Sequence, residues 1–139
     1  MNSAKTIKDF LANQRYWDVF VIDELETVVH ACELMEKNRV GSLIVVDSKK
    51  SQEDSHVVGI ITERDVVKAI SHHQDDLEAC TVNKIMSKKL IHISSDTLPK
   101  EAADLMLENQ IRHLAVMDDE KLVGVVSMRD IFQSLNLNK

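Results

Sequence analysis

The sequence predicts an α/β (α+β) chain of two pseudo-symmetric β-α-β-β-α repeats packed sheet to sheet. Three observations lead there: an internal duplication, strand-length apolar runs beside helical apolar spacing in each copy, and a composition able to support a core. Shifting the sequence by 71 residues lays Ala31, Leu34, Met35, Asn38, Leu43, Val45 and Asp47 on Ala102, Leu105, Met106, Asn109, Leu114, Val116 and Asp118. A shift of 65 lays Val58, Gly59, Arg64 and Asp65 on Val123, Gly124, Arg129 and Asp130. The change of register puts six extra residues in the polar stretch Ser48–His56, which reads as a longer hairpin loop in the first copy. Hydrophobic residues make up 44% and charged residues 29% of the 139 positions, which are globular values. Three Gly and one Pro exclude collagen-like and low-complexity architectures. The period is too long for a solenoid unit. A single copy of about 60 residues would bury little surface, so two copies are expected to share their burial.

Each copy follows the same order. A short β-prone segment comes first, Val19–Ile22 in one copy and Leu90–Ile93 in the other. An amphipathic helix follows: Val28, Ala31, Cys32, Leu34 and Met35 recur at helical spacing, as do Ala102, Ala103, Leu105 and Met106. Pro99 suits the first turn of the second of these helices. Two strand-like runs come next, Leu43–Val46 with Val57–Ile61, and Leu114–Met117 with Leu122–Val126. A last helix starts at Thr62 or Ser127 and runs to about Ile70 or Leu135. Thr6–Asn13 and Leu77–Met86 read as short lead-in helices, with Tyr16 and Trp17 anchoring the first. The expected division is residues 1–76, lead-in plus repeat 1, and residues 77–139, linker helix plus repeat 2.

Composition narrows the function classes. Lys and Arg number 17 against 23 Asp and Glu, a formal charge of −6, which disfavours nucleic acid as a partner. No apolar run approaches the roughly 18 residues of a membrane span. Cys32 and Cys80 are no disulfide framework and have no CxxC spacing, as in a reducing cytoplasm. Cys32 reads as a small core residue, and Cys80 lies in the linker, where it could be exposed. The N-terminus shows no secretory h-region. Lys5, Lys8 and Arg15 leave room for a mitochondrial presequence, and Asp9 argues against one. His72-His73 with Asp75 and Asp76 resembles a solvated helix end more than a metal site, because adjacent helical residues point apart. Serines and histidines occur in no catalytic spacing, so no enzyme is expected.

The repeated chemistry lies in Val58-Gly59-Ile60-Ile61-Thr62-Glu63-Arg64-Asp65 and Val123-Gly124-Val125-Val126-Ser127-Met128-Arg129-Asp130. A strand that delivers a hydroxyl to a helix start also brings N–H groups and a dipole that favour an anion. A carboxylate one turn on offers two acceptor oxygens, matching the vicinal hydroxyls of a ribose. Ile60 and Val125 stand where they could flank a purine, and Gly59 and Gly124 permit close approach. The same Thr62-x-x-Asp65 and Ser127-x-x-Asp130 spacing is that of a capping box, which does not exclude ligand contact. The copies differ at the entry to their first long strand: Arg112-His113 in one, Gly41-Ser42 in the other. Arg112 would give a permanent fork of donors for phosphate and His113 a second donor; Arg64 and Arg129 are further phosphate candidates. The two sites are therefore expected to be unequal.

These runs resemble the G-h-h-T/S-x-x-D signature of cystathionine-β-synthase (CBS) domains. So do Val40-Gly41-Ser42-Leu43-Ile44-Val45-Val46-Asp47 and Arg112-His113-Leu114-Ala115-Val116. The resemblance covers about residues 5–135 and implies a stand-alone tandem pair, or Bateman module. It further implies adenosyl ligands (AMP, ADP, ATP, NAD(H) or S-adenosylmethionine) in inter-repeat clefts, regulation of an unknown partner protein, and a homodimer. The competing expectation is a ligand-free dimerisation scaffold.

Overall fold

A computed structural model describes residues 6–11, 20–47, 56–72 and 76–136. Tyr16, Trp17, His73, Asp75 and nearly all of the expected long hairpin loop lie outside them. The chain forms two compact units. One draws on residues 20–47, 56–72 and 76–90, the other on residues 6–11 and 91–136.

In the first unit, β1 (Val21–Asp23) leads to helix α1 (Val28–Asn38), strands β2 (Ser42–Asp47) and β3 (His56–Thr62), and helix α2 (Glu63–Ser71). The second unit repeats this order with β4 (His92–Ile93), α3 (Pro99–Asn109), β5 (His113–Asp118), β6 (Lys121–Ser127) and α4 (Met128–Asn136). Each sheet has three strands: β1 parallel to β2, and β2 antiparallel to β3, with β4, β5 and β6 paired likewise. The register shifts once in each hairpin, at Val45/Val46 and at the equivalent Val116/Met117. The duplication therefore extends to an irregularity that no residue type announces.

Local chemistry explains the helix limits. Thr27 starts α1, its hydroxyl accepting from the His30 N–H at 3.0 Å. Leu98 has no such oxygen at the start of α3, and there Glu101 reaches back to the Leu98 N–H at 3.1 Å, behind Pro99. Both helices end on a left-handed residue that is not glycine, Arg39 and Gln110, each at φ 56°. The following N–H closes the end, from Val40 to the Met35 carbonyl at 3.0 Å and from Ile111 to Met106 at 2.9 Å.

Each core lies where its helices cover one sheet face. Ala31, Met35, Leu43, Val45 and Ile61 pack in the first, and Ala102, Met106, Leu114, Val116, Val126 and Ile131 in the second. The segments that precede the repeats are exchanged relative to the boundary expected at 76/77. Ile7, from the lead-in, is fully buried in the second unit, and Val82, from the linker, is fully buried in the first. The attachments match atom for atom. Ile7 and Lys8 donate to the Thr97 and Ser95 carbonyls, both at 2.9 Å. Val82 and Asn83 donate to the equivalent Glu26 and Glu24 carbonyls at 2.8 and 3.0 Å. Ile7 and Val82 are both β-branched apolar residues of similar size, so apolar patterning alone does not assign them to one core or the other.

The described parts of both segments hold only one 3₁₀ turn each, Ile7–Phe10 and Val82–Lys84, in place of the expected helices. Backbone donors spent on the neighbouring loop are unavailable to continue a helix. Cys80, which its linker position would have allowed to be exposed, is buried, and its carbonyl accepts from the Val28 N–H at 2.9 Å.

Candidate functional site

The two motif runs occupy the same place in each unit, where β3 turns into α2 and β6 into α4. Both capping boxes form. Asp65 Oδ2 accepts from the Thr62 N–H at 2.9 Å and its hydroxyl at 3.1 Å, while the Asp65 N–H donates to Thr62 Oγ1 at 3.2 Å. Asp130 Oδ2 accepts from the Ser127 N–H at 3.1 Å, and the Asp130 N–H donates to Ser127 Oγ at 3.1 Å. Each box uses one carboxylate oxygen. The second oxygen of each half-buried aspartate has no hydrogen bond among the described residues, so capping and acceptance from a ligand hydroxyl are compatible.

The helix starts are less open to an anion than the sequence suggests. The first helical N–H of α2, on Glu63, donates to the Gly41 carbonyl at 3.0 Å, and that of α4, on Met128, donates to Arg112 at 2.8 Å. With the third N–H held in the box, an incoming phosphate would depend on cationic side chains. Arg64, Arg112 and Arg129 are exposed. Arg112 stands immediately before β5, where the first unit has Gly41, and Arg129 follows Met128 in the first turn of α4.

His113 is not such a cation. It opens β5 opposite Ser127 and is 8% exposed. Burial lowers its pKa to about 4; Asp130 pulls it back up and Arg112 pushes it further down. Near neutral pH it is an uncharged imidazole. Ser42 takes the same buried position in the first unit.

Ile60 and Val125 are brought to the motif strands but not exposed beside them. Ile61 and Val126 face the cores; Ile60 and Val125, one residue earlier, lie on the opposite face and are 8% and 0% exposed. Neither offers an open platform for a base. Ile60 also exchanges backbone hydrogen bonds with Ser87 of the linker, at 2.9 and 2.8 Å. A Cβ on Gly59 would meet the Ser87 carbonyl oxygen, so the close approach that Gly59 permits is made by the chain's own backbone. At Gly124 the neighbour is the Leu11 side chain, 2.7 Å from where a Cβ would sit.

Cys32 is half-buried, and burial together with Glu33 holds its thiol above the usual pKa, away from thiolate chemistry. Among the described residues no group of three His, Cys, Asp or Glu is placed to hold a metal ion. No described helix is long and apolar enough to cross a membrane.

This duplicated strand–box–helix architecture defines a class. The CBS domain pattern matches residues 7–72 and again 82–137, and the chain belongs to that family, with two CBS domains. A 17.7 kDa protein of Acidianus ambivalens is 40% identical over 118 residues, covering 84% of this chain and 67% of its own length. An inosine-5′-monophosphate dehydrogenase of Methanocaldococcus jannaschii is 34% identical over 117 residues, yet the match spans 21% of that enzyme. The chain spans only 57% and 53% of two other curated relatives. Among solved structures, a putative signal-transduction protein with CBS domains from Burkholderia ambifaria superposes with a TM-score of 0.79, at 27% identity, over 97% of this chain and 96% of that one. Two others share the fold at lower identity. One is the CBS pair of protein MJ0100 in complex with 5′-methylthioadenosine and S-adenosylmethionine (24% identity, TM-score 0.75, covering 99% and 100%). The other is CBSX2 in complex with AMP (23%, TM-score 0.77, covering 98% and 100%).

Proposed function

We propose that this chain is a regulatory module that binds an adenosyl ligand and passes its occupancy to a partner protein. The observation that carries the reading is the pair of capping boxes, each keeping one carboxylate oxygen beside a hydroxyl-bearing helix start. Asp65 and Asp130 accept from ribose hydroxyls; Thr62 and Ser127 set their geometry. Arg112 binds a phosphate, with Arg129 and Arg64 beside the two helix starts. The family's solved members in complex with AMP and with methylthioadenosine and S-adenosylmethionine support this ligand class. AMP, ADP, ATP and NAD(H) are the candidates, in a cytoplasmic homodimer that needs neither nucleic acid nor membrane. Ligand acts by differential affinity for two conformations, the only way binding shifts a population. The module performs no catalysis of its own.

Thermal melts with each nucleotide test the reading. A ligand at 100 times its Kd adds roughly 2.7 kcal/mol to folding stability, and mass spectrometry of native protein would identify a co-purified nucleotide. A flat response to all of them at millimolar concentration overturns it. A ligand-free scaffold is the second reading, favoured by the fact that both aspartates already serve as caps; it forecasts that flat response.

A further inference from the structure

His113 is a buried titratable group set among the residues that the second unit offers to a ligand. It opens β5 opposite Ser127, the hydroxyl of the capping box, and follows Arg112 directly in the chain. The Met128 N–H donates to the Arg112 carbonyl at 2.8 Å and so ties the start of α4 to the start of β5. Strand, box and helix start therefore meet at this imidazole. Two charged groups act on it. Asp130, from the first turn of α4, favours its protonation, and Arg112, just before β5, opposes it. β6 places the uncharged Ser127 opposite. Burial outweighs both charges and leaves the ring neutral near pH 7. The first unit has no counterpart, because Ser42 holds the same buried position.

We propose that phosphate binding at the second unit is coupled to proton uptake by His113, so that this unit reads pH together with nucleotide. The inference rests on the adenosyl-ligand reading and adds a regulation to that site. A phosphate held at Arg112 acts on the imidazole in two ways. It offsets the guanidinium charge that opposes protonation, and it brings a negative charge of its own. Both favour the imidazolium. An opposite charge within about 4–6 Å moves a pKa by roughly 1–3 units. Starting from about 4, His113 then titrates between roughly 5 and 7 in the occupied protein. A ribose hydroxyl donating to the second oxygen of Asp130 adds no charge and leaves this sum unchanged. Linkage is reciprocal: a ligand that draws a proton onto His113 is bound more tightly where protons are plentiful. Adenosine lacks the phosphate and has no such effect, and Ser42 gives the first unit nothing to titrate.

The test is calorimetric titration of the full chain with AMP at pH 6, repeated in buffers of different ionisation heat, which counts the protons taken up on binding. His113→Ser, which copies Ser42, and His113→Gln, which keeps more of the side-chain volume, are compared once circular dichroism has shown them folded. Protonation of the AMP phosphate itself contributes alike to all three proteins, so the difference belongs to His113. The native chain is expected to take up a few tenths of a proton more per AMP than either variant, and adenosine is expected to show no difference. A second measurement needs no variant: followed by NMR in the native chain, the His113 ring protons should titrate at higher pH with AMP bound than without. Equal proton uptake by native chain and variants, or a His113 titration unmoved by bound AMP, overturns the coupling and leaves the adenosyl-ligand reading standing. No binding heat from either AMP or adenosine overturns both.

Discussion

At the scale of single residues, Asp65 and Asp130 each hold two roles on one carboxylate. Removing the caps costs about 1 kcal/mol of folding stability. If the second oxygen accepts from ribose, Asp65→Ala and Asp130→Ala also lose roughly 1.5–3 kcal/mol of ligand affinity, and 2′-deoxy ligands bind the native protein more weakly. Calorimetric titration corrected for unfolded protein separates the two: normal affinity in both variants would leave the aspartates as caps alone. Arg112→Ala should lower the ratio of AMP to adenosine affinity, since adenosine gives a guanidinium fork nothing to bind. Added salt should weaken AMP binding more in the native protein than in that variant. An equal loss for both ligands would remove the phosphate assignment.

His113 yields a prediction about pH whose sign follows from its burial. Its folded pKa of about 4 lies below the roughly 6.5 of an unfolded chain. Between these values the unfolded chain binds a proton that the folded chain refuses, so stability falls as pH drops from about 6.5 towards 4. The full loss is about 3 kcal/mol. His113→Ser, which copies Ser42, removes it. Denaturation of both proteins across this window should show the native chain losing ground to the variant in acid; parallel curves would mean that His113 protonates freely in the fold.

At the scale of elements, the two motif glycines are forecast to differ. At Gly59 an added Cβ meets the Ser87 carbonyl oxygen, and the backbone of a residue held by two hydrogen bonds to Ile60 cannot yield cheaply. Gly59→Ala should therefore cost about 1–3 kcal/mol. At Gly124 the obstacle is the end of the Leu11 side chain, which can turn aside, so Gly124→Ala should cost less. Urea titrations of both variants decide it, and the reverse order would mean that the linker moves more readily than Leu11.

At the scale of the whole molecule, the exchanged segments make residues 6–11 part of the second unit. Ile7→Ala should cost about 2–5 kcal/mol, as burial at 0% exposure implies. Native-state hydrogen exchange should show protection lost first in β4–β6 and α3, with β1–β3 spared. Loss centred on β1–β3 would return the lead-in to the first unit.

The sequence by itself determined the duplication, the order of elements and the two capping boxes. Periodicity, cap residues and strand-length apolar runs act over a few residues, and Thr62, Asp65, Ser127 and Asp130 stand as their spacing implies. Only the tertiary structure decided which core takes Ile7 and which takes Val82, because both segments carry the same kind of apolar residue and both loops offer the same carbonyls. It alone buried Ile60, Val125 and Cys80 and left His113 uncharged. Burial is a property of what packs around a residue, and desolvation, which sets the charge of an imidazole, depends on neighbours that no local pattern encodes.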